Sequence, residues 1–208
     1  MNELCILFLN HANDRITQKH LALIKEKHPS VPVVPLTFGR GVAGSIQVPA
    51  KLPLIDRTEW RNCDQLVYHW FRSPEKIDAQ RYLILEWDCL CSAAAVDFFS
   101  EAWDKPATGA RILCGPATIP AAWGNTTGVK FFAISPINGI LLSKLALAAI
   151  SELAQNPIYG HLISDARIGS LLALSGFEPV KSFSGIEGYN SPSLKTPIGA
   201  GFWHSVKS

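Results

Sequence analysis

Charge is scarce in this chain. Asp, Glu, Lys and Arg make up only 17% of its 208 residues, where globular domains usually carry about 25%. The net charge is +2, and the basic residues are scattered rather than striped. Neither observation makes an electrostatic case for a nucleic-acid or an acidic partner. With 48% apolar residues, a large core is affordable and disorder is excluded. Paired cysteines are missing too. The five, Cys5, Cys63, Cys89, Cys91 and Cys114, are odd in number, and Cys89-x-Cys91 is not a zinc or redox Cys-x-x-Cys pair. They read as small buried hydrophobes in a reducing compartment. Long apolar runs are absent as well. The longest, "GILLSKLALAAISELA", is interrupted by Lys144 and Glu152 and cannot span a bilayer. "NELCILFLNH" has an acid, Glu3, at its start and an apolar run too short for a signal core. The expectation is a cytoplasmic chain with no transmembrane segment, peripheral membrane contact staying open. No repeat or low-complexity segment occurs, and the length suits one domain.

What is present alternates. "LCILFLNHA" reads as a buried strand ending in polar residues, and "ITQKHLALIKEKH" as an amphipathic helix. "VPVVPL" is a second strand whose prolines place it near an edge. "CDQLVYHWF" reads as a third strand and "YLILEWD" as a fourth. "SAAAVDFFSEAW" reads as a helix capped by Ser92. A strand is expected at Arg111–Cys114 and another in "VKFFAIS". "NGILLSKLALAAISELAQ" is the clearest helix, followed by "SDARIGSLLALSGF", closed by Gly176. The long loops from Thr37 to Glu59 and from Cys114 to Gly128 have no readable pattern. Strands alternating with helices predict an α/β layered fold with a sheet covered on both faces. In such sheets ligands bind beyond the carboxyl ends of the strands, where "NHAND" and "EWD" both fall.

The stretch "RYLILEWDCLC" carries the chemistry. An apolar strand runs into Glu86 and Asp88, and buried carboxylates need water, a base or a metal ion. In a regular strand the two acids lie on one side, roughly 6.5 Å apart along the chain. If the strand bends as it ends, Asp88 can ligate an ion directly while Glu86 acts through water or a ligand hydroxyl. Oxygen donors suit Mg²⁺ or Mn²⁺.

An apolar strand ending in acid-x-acid resembles the metal-binding motif of the GT-A glycosyltransferases. Three further segments follow in that family's order. "FFAISPINGILLSKLALAAI" is similar to its strand, glycine turn and helix beside the donor sugar, the turn here being Ser135 to Gly139. "LISDARIGSLLALSGFEPV" resembles the segment in which an acid opens a helix under the acceptor, the matching acid being Asp165. "GFWHSVK" offers His204 where many such enzymes place a metal-ligating histidine. The resemblance covers Leu4 to His204 by order of elements. It implies a GT-A-like, Rossmann-like fold: a mixed, mostly parallel sheet flanked by helices. It also implies one domain, with a nucleotide-binding half over 1–91 and an acceptor half and tail over 92–208.

The resemblance assigns roles. Asp88 and His204 hold Mn²⁺ or Mg²⁺. Glu86 supports the ion or hydrogen-bonds the ribose or sugar of the donor. Asp165 is the general base on the acceptor hydroxyl, implying inversion at the anomeric carbon. His11, Asn13 and Arg15 border the nucleotide, and Asn138 and Gly139 approach the donor sugar. Trp87, with Trp70 and Trp123, offers stacking faces, and Arg167 pairs with Asp165 or meets phosphate. Each has a plainer reading. Asn13 or Asp14 caps the helix beginning at Arg15, Asp165 favours a helix dipole with Ser164 as cap, and the acid pair makes rim salt bridges. The function expected is transfer of a sugar, from a UDP-type nucleotide donor, to a hydroxyl acceptor. A sugar nucleotidyltransferase is disfavoured because "NHANDR" has no glycine after the first strand and "FGRGVAG" lies far along with no strong strand before it. A non-catalytic nucleotide-, glycan- or partner-binding domain is the remaining alternative, supported by Glu86 standing where the motif has Asp.

Overall fold

The computed structural model describes residues 2–11, 14–39, 41–48, 62–108, 112–113, 133–134, 139–177 and 202–203. Its centre is a five-stranded sheet of β1 (Asn2–Leu9), β2 (Val33–Thr37), β3 (Ile46–Gln47), β4 (Ala79–Glu86) and β8 (Ile140–Ser143), ordered β3-β2-β1-β4-β8. β1 pairs parallel with β2 and β4, and β2 pairs parallel with β3. β8 closes the other side antiparallel to β4. The sheet is therefore mixed and mostly parallel, as the resemblance implies. Two small ladders stand apart: β5 (Leu90–Cys91) with β9 (Phe202–Trp203), and β6 (Ile112–Leu113) with β7 (Ala133–Ile134).

Side chains of a strand alternate between faces, and here both faces are covered. Cys5, Leu7 and Leu9 point to one core, with Tyr82, Ile84, Ile140 and Leu142, under α2 (Cys63–Arg72), α4 (Lys144–Leu153) and α5 (Ser164–Leu174). Leu4, Ile6 and Phe8 point to the other, with Leu83, Leu85 and Leu141, under α1 (Arg15–Lys27) and α3 (Ala95–Phe98). His28 ties the ends of α1 and α3 together. Its Nε2 accepts from the Ala95 N–H at 2.8 Å, so Nδ1 bears the proton and donates to the Ile24 carbonyl at 2.8 Å.

Several expectations are corrected. Cys63–Phe71 is helical, not a strand. Cys63, Leu66, Val67, Trp70 and Phe71 recur at helical spacing and enter one core, a period that the aromatic and β-branched content of the segment masks. The helix expected from Asn138 begins only at Lys144. Ile140–Ser143 is strand β8, and the Ser143 hydroxyl caps α4 by accepting from the Ala146 N–H. α3 is a single turn capped at Ala94 without a side-chain bond, so Ser92 is not its cap. The placement of β2 near an edge holds: only the two-residue β3 lies outside it. β3 pairs only with Leu36 and Thr37, so Pro35 is spared that ladder.

Both cores draw residues from before and after residue 91. Beyond β8, residues 106–108 cover the strand. Ser143 donates to the Pro106 carbonyl at 2.8 Å, and Thr108 to the Leu141 carbonyl at 2.9 Å. Among the described residues no helix is long and apolar enough to cross a membrane.

Candidate functional site

The carboxyl ends of β1, β2 and β4 face the N-termini of α2 and α5, and polar residues gather there. β4 ends at Glu86, and the chain turns at once. The Cys89 N–H donates to the Glu86 carbonyl at 2.9 Å, placing Trp87 and Asp88 at the centre of a turn. The acid pair does not continue an extended strand. Asp88 is buried at 6% exposure, and Glu86 and Trp87 are half-buried.

Glu86 meets the start of α2. The Cys63 thiol donates to its Oε1 at 3.1 Å and lies 3.3 Å from the Ser164 hydroxyl at the start of α5. Burial pushes the Glu86 carboxyl up to about 8. The negative charge of Asp165 adds to this, the Cys63 hydrogen bond opposes it, and Asp88 adds a smaller push. Asp165 is thus brought into electrostatic range of Glu86 from residues 79 positions apart in sequence. Burial, then the charges of Glu86 and Asp64, hold the Cys63 thiol protonated. At neutral pH Glu86 is an acid that carries a proton rather than a free carboxylate.

This has a testable consequence. A native pKa of about 8 against an ordinary 4.5 means that unfolding releases a proton between those values. Stability from this group is full below pH 4.5 and is lost as pH rises through 8. In urea unfolding at pH 5, 7 and 9, Glu86→Gln is expected to gain on the wild type as pH rises. A difference that stays constant across that range would show that Glu86 is ionised throughout.

Arg167 does not pair with Asp165, nor is it open to phosphate. It is fully buried and bonds Asp64 of α2 at 2.5 Å, the Tyr159 carbonyl at 2.8 Å, the Asn62 side chain at 3.3 Å and the Leu162 carbonyl. This clamp joins α2 to α5 below the acids. Ser164 is the first residue of α5 and Ile163 its cap, with no side-chain bond. The half-buried Asp165 therefore lies in a first turn whose amides favour a negative charge.

On the β1 side, His11 sits edge-on to Trp87 with ring centroids 5.1 Å apart and planes at 79°. Arg15 opens α1 and is exposed, while Asp14 is the cap, accepting from the Thr17 N–H at 2.8 Å. A cavity of ≈ 20 Å³ lies between His11, Phe38, Cys63, Glu86 and Trp87. A larger one, ≈ 260 Å³, opens at the opposite end of β1 beside Glu3 and Trp103, away from these groups. Trp70 is a core residue at 1% exposure and offers no stacking face. Gly139 takes a φ of +75°, which suits glycine, and its N–H donates to the Ile84 carbonyl. Asn13, Asn138, His204 and Trp123 lie outside the described residues. Trp203, just before His204, pairs with Leu90, two residues after Asp88.

The sequence reading passed over Asn10, Cys63 and Asp64. Asn10 is buried, donates to the Leu36 carbonyl at 3.0 Å and accepts from the Val42 N–H at 3.0 Å. It staples the glycine-rich segment that follows β2 to the end of β1. That segment does follow a strand, contrary to expectation. A methyl group on Gly41 would come within 2.4 Å of the Asn10 Oδ1, so the close approach requires glycine. The available signal was a polar residue ending an apolar strand.

Among the described residues, no three His, Cys, Asp or Glu side chains form a metal-ligand cluster. The donor set still fits Mg²⁺ or Mn²⁺, which use one or two carboxylates and take the remaining ligands from water and substrate phosphates.

No protein-family model matches the chain, and no curated protein does so significantly. Solved structures similar to it include the bifunctional IspDF of Campylobacter jejuni, at TM-score 0.49 and 9% identity over 88% of this chain. This chain spans 50% of that one. The 2-C-methyl-D-erythritol 4-phosphate cytidylyltransferase of Thermus thermophilus is similar at TM-score 0.48 and 12% identity, covering 88% of this chain and 90% of its own. Galactosyltransferase LgtC, in complex with donor and acceptor sugar analogues, is similar at TM-score 0.45 and 12% identity, covering 96% and 86%. At these values the likenesses do not bear on activity.

Proposed function

We propose that this chain transfers a sugar from a nucleotide-diphosphate donor, of UDP type, to a hydroxyl acceptor with the help of Mn²⁺ or Mg²⁺. The observation that carries this reading is that Glu86, at the carboxyl end of β4, lies within electrostatic range of both Asp165 and Asp88. Asp88 would hold the ion. The ion supplies charge neutralisation for the departing diphosphate. Glu86 supports the ion or hydrogen-bonds the ribose or sugar of the donor. Asp165 takes the proton from the acceptor hydroxyl as its oxygen attacks the anomeric carbon, with inversion. His11, Trp87 and Arg15 border the nucleotide, and Gly139 lets backbone approach the donor sugar. Asn13, Asn138 and His204 complete the proposed set.

A sugar nucleotidyltransferase is the second reading. The glycine-rich segment held by Asn10 against the end of β1 favours it. Calorimetric titration with UDP, GDP, CTP and UTP, each with and without Mn²⁺, separates the two. Metal-dependent binding of a diphosphate is the expected result. Preference for a triphosphate selects the nucleotidyltransferase, and no binding at all overturns both in favour of a non-catalytic domain.

A further inference from the structure

The turn that contains Asp88 is held by a residue far away in sequence. His20 of α1 is completely buried, and its Nδ1 lies 2.9 Å from the Trp87 carbonyl oxygen. A carbonyl only accepts, so Nδ1 carries the proton and Nε2 the lone pair. Burial holds this imidazole below its usual pKa, which agrees with a neutral ring. Nε2 has no hydrogen-bond partner among the described residues, a cost for a buried polar atom. A leucine would fill similar space without that cost, next to Leu21 and Ile24 of the same helix, which are also buried. What the imidazole adds is one donor aimed at one carbonyl.

That carbonyl matters. In the Glu86–Cys89 turn, the Trp87–Asp88 peptide is the central one. Rotating the central peptide of a β-turn interconverts its two common types and changes the backbone angles of the third residue, here Asp88. Holding the Trp87 oxygen therefore fixes where the Asp88 side chain points.

We propose that His20 is a positioning residue, its Nδ1–H bond to the Trp87 carbonyl locking the turn so that Asp88 faces the site. The inference rests on the reading of Asp88 as the ion-holding acid. His20→Leu removes the donor. His20→Asn keeps an N–H where Nδ1 stands. His20→Gln moves it to the Nε2 position. Two quantities are read: amide hydrogen exchange of Cys89 by NMR, and the Mn²⁺-dependent affinity for UDP. Loss of a supporting partner typically costs about 10–100-fold. The Leu and Gln variants are expected to lose about tenfold in both Cys89 protection and affinity, while Asn stays within about threefold of the wild type.

Unchanged Cys89 protection in His20→Leu overturns the proposal, as does an Asn variant impaired as much as Gln. If His20→Leu does not fold, the order of Asn over Gln decides. A wild type that binds no nucleotide under any condition removes the transferase reading alone, because the exchange measurement still decides whether His20 locks the turn.

Discussion

Arg167→Met is expected to lower the free energy of unfolding in urea by about 3–5 kcal/mol. Both partners of the Asp64–Arg167 pair are fully buried, and their bond is 2.5 Å long. Arg167 also satisfies two backbone carbonyls and the Asn62 side chain. Removing the guanidinium leaves a carboxylate in a site where burial already raises its pKa, Arg167 being the main opposing influence. The pair as a whole is a different matter. Taking two charges out of water is so costly that apolar replacements often do as well. The double variant Asp64→Leu/Arg167→Met is therefore expected to regain most of the loss. A single-variant loss under about 1 kcal/mol would mean that water reaches the clamp. Because the clamp joins α2 to α5, the same substitution should loosen Asp165 from Glu86.

The second large effect falls on binding. Asp88→Asn keeps the shape of the side chain and removes its charge. If Asp88 holds the ion, metal-dependent nucleotide affinity should fall by at least the ~10–100-fold seen when an outer partner of a metal site is lost, while the melting temperature changes little. Calorimetry in the presence of Mn²⁺ reads this directly. Equal affinity in the two proteins would reduce Asp88 to a structural acid of the turn. The ion would then have to be held by other groups or not at all.

β1 and β4 were legible because each holds an unbroken apolar run, Leu4–Leu9 and Tyr82–Leu85. β1 and β4 are buried on both faces, and such runs announce themselves without alternation. α2 was not legible for a related reason. Cys63, Leu66, Val67, Trp70 and Phe71 follow the helical period, yet Asp64, Gln65 and Tyr68 between them are buried as well. A helix buried nearly all round loses the polar face that identifies it. β8 was absorbed into α4 because Ile140–Leu142 and the helix are both apolar, and the cap at Ser143 is the only punctuation. At the site, Glu86, Asp88 and Asp165 were legible as acids at element ends. Their neighbours were not. Cys63, Asn10 and His20 act through contacts with residues 23, 32 and 67 positions away, and no local spacing encodes such distances.

The pairing of β5 with β9 has a consequence for how the protein is made. Leu90 and Trp203 are separated by more than half the chain, so this contact is among the most distant in sequence that the fold contains. A ribosome emits the core sheet through β8 and α5 well before residues 202–203. A nascent chain can thus bury most of its apolar surface while the strand after Asp88 still lacks its partner. Contacts of such range form slowly because loop closure must come first. The edge beside Asp88 therefore waits, during synthesis, for a partner made 113 residues after Leu90.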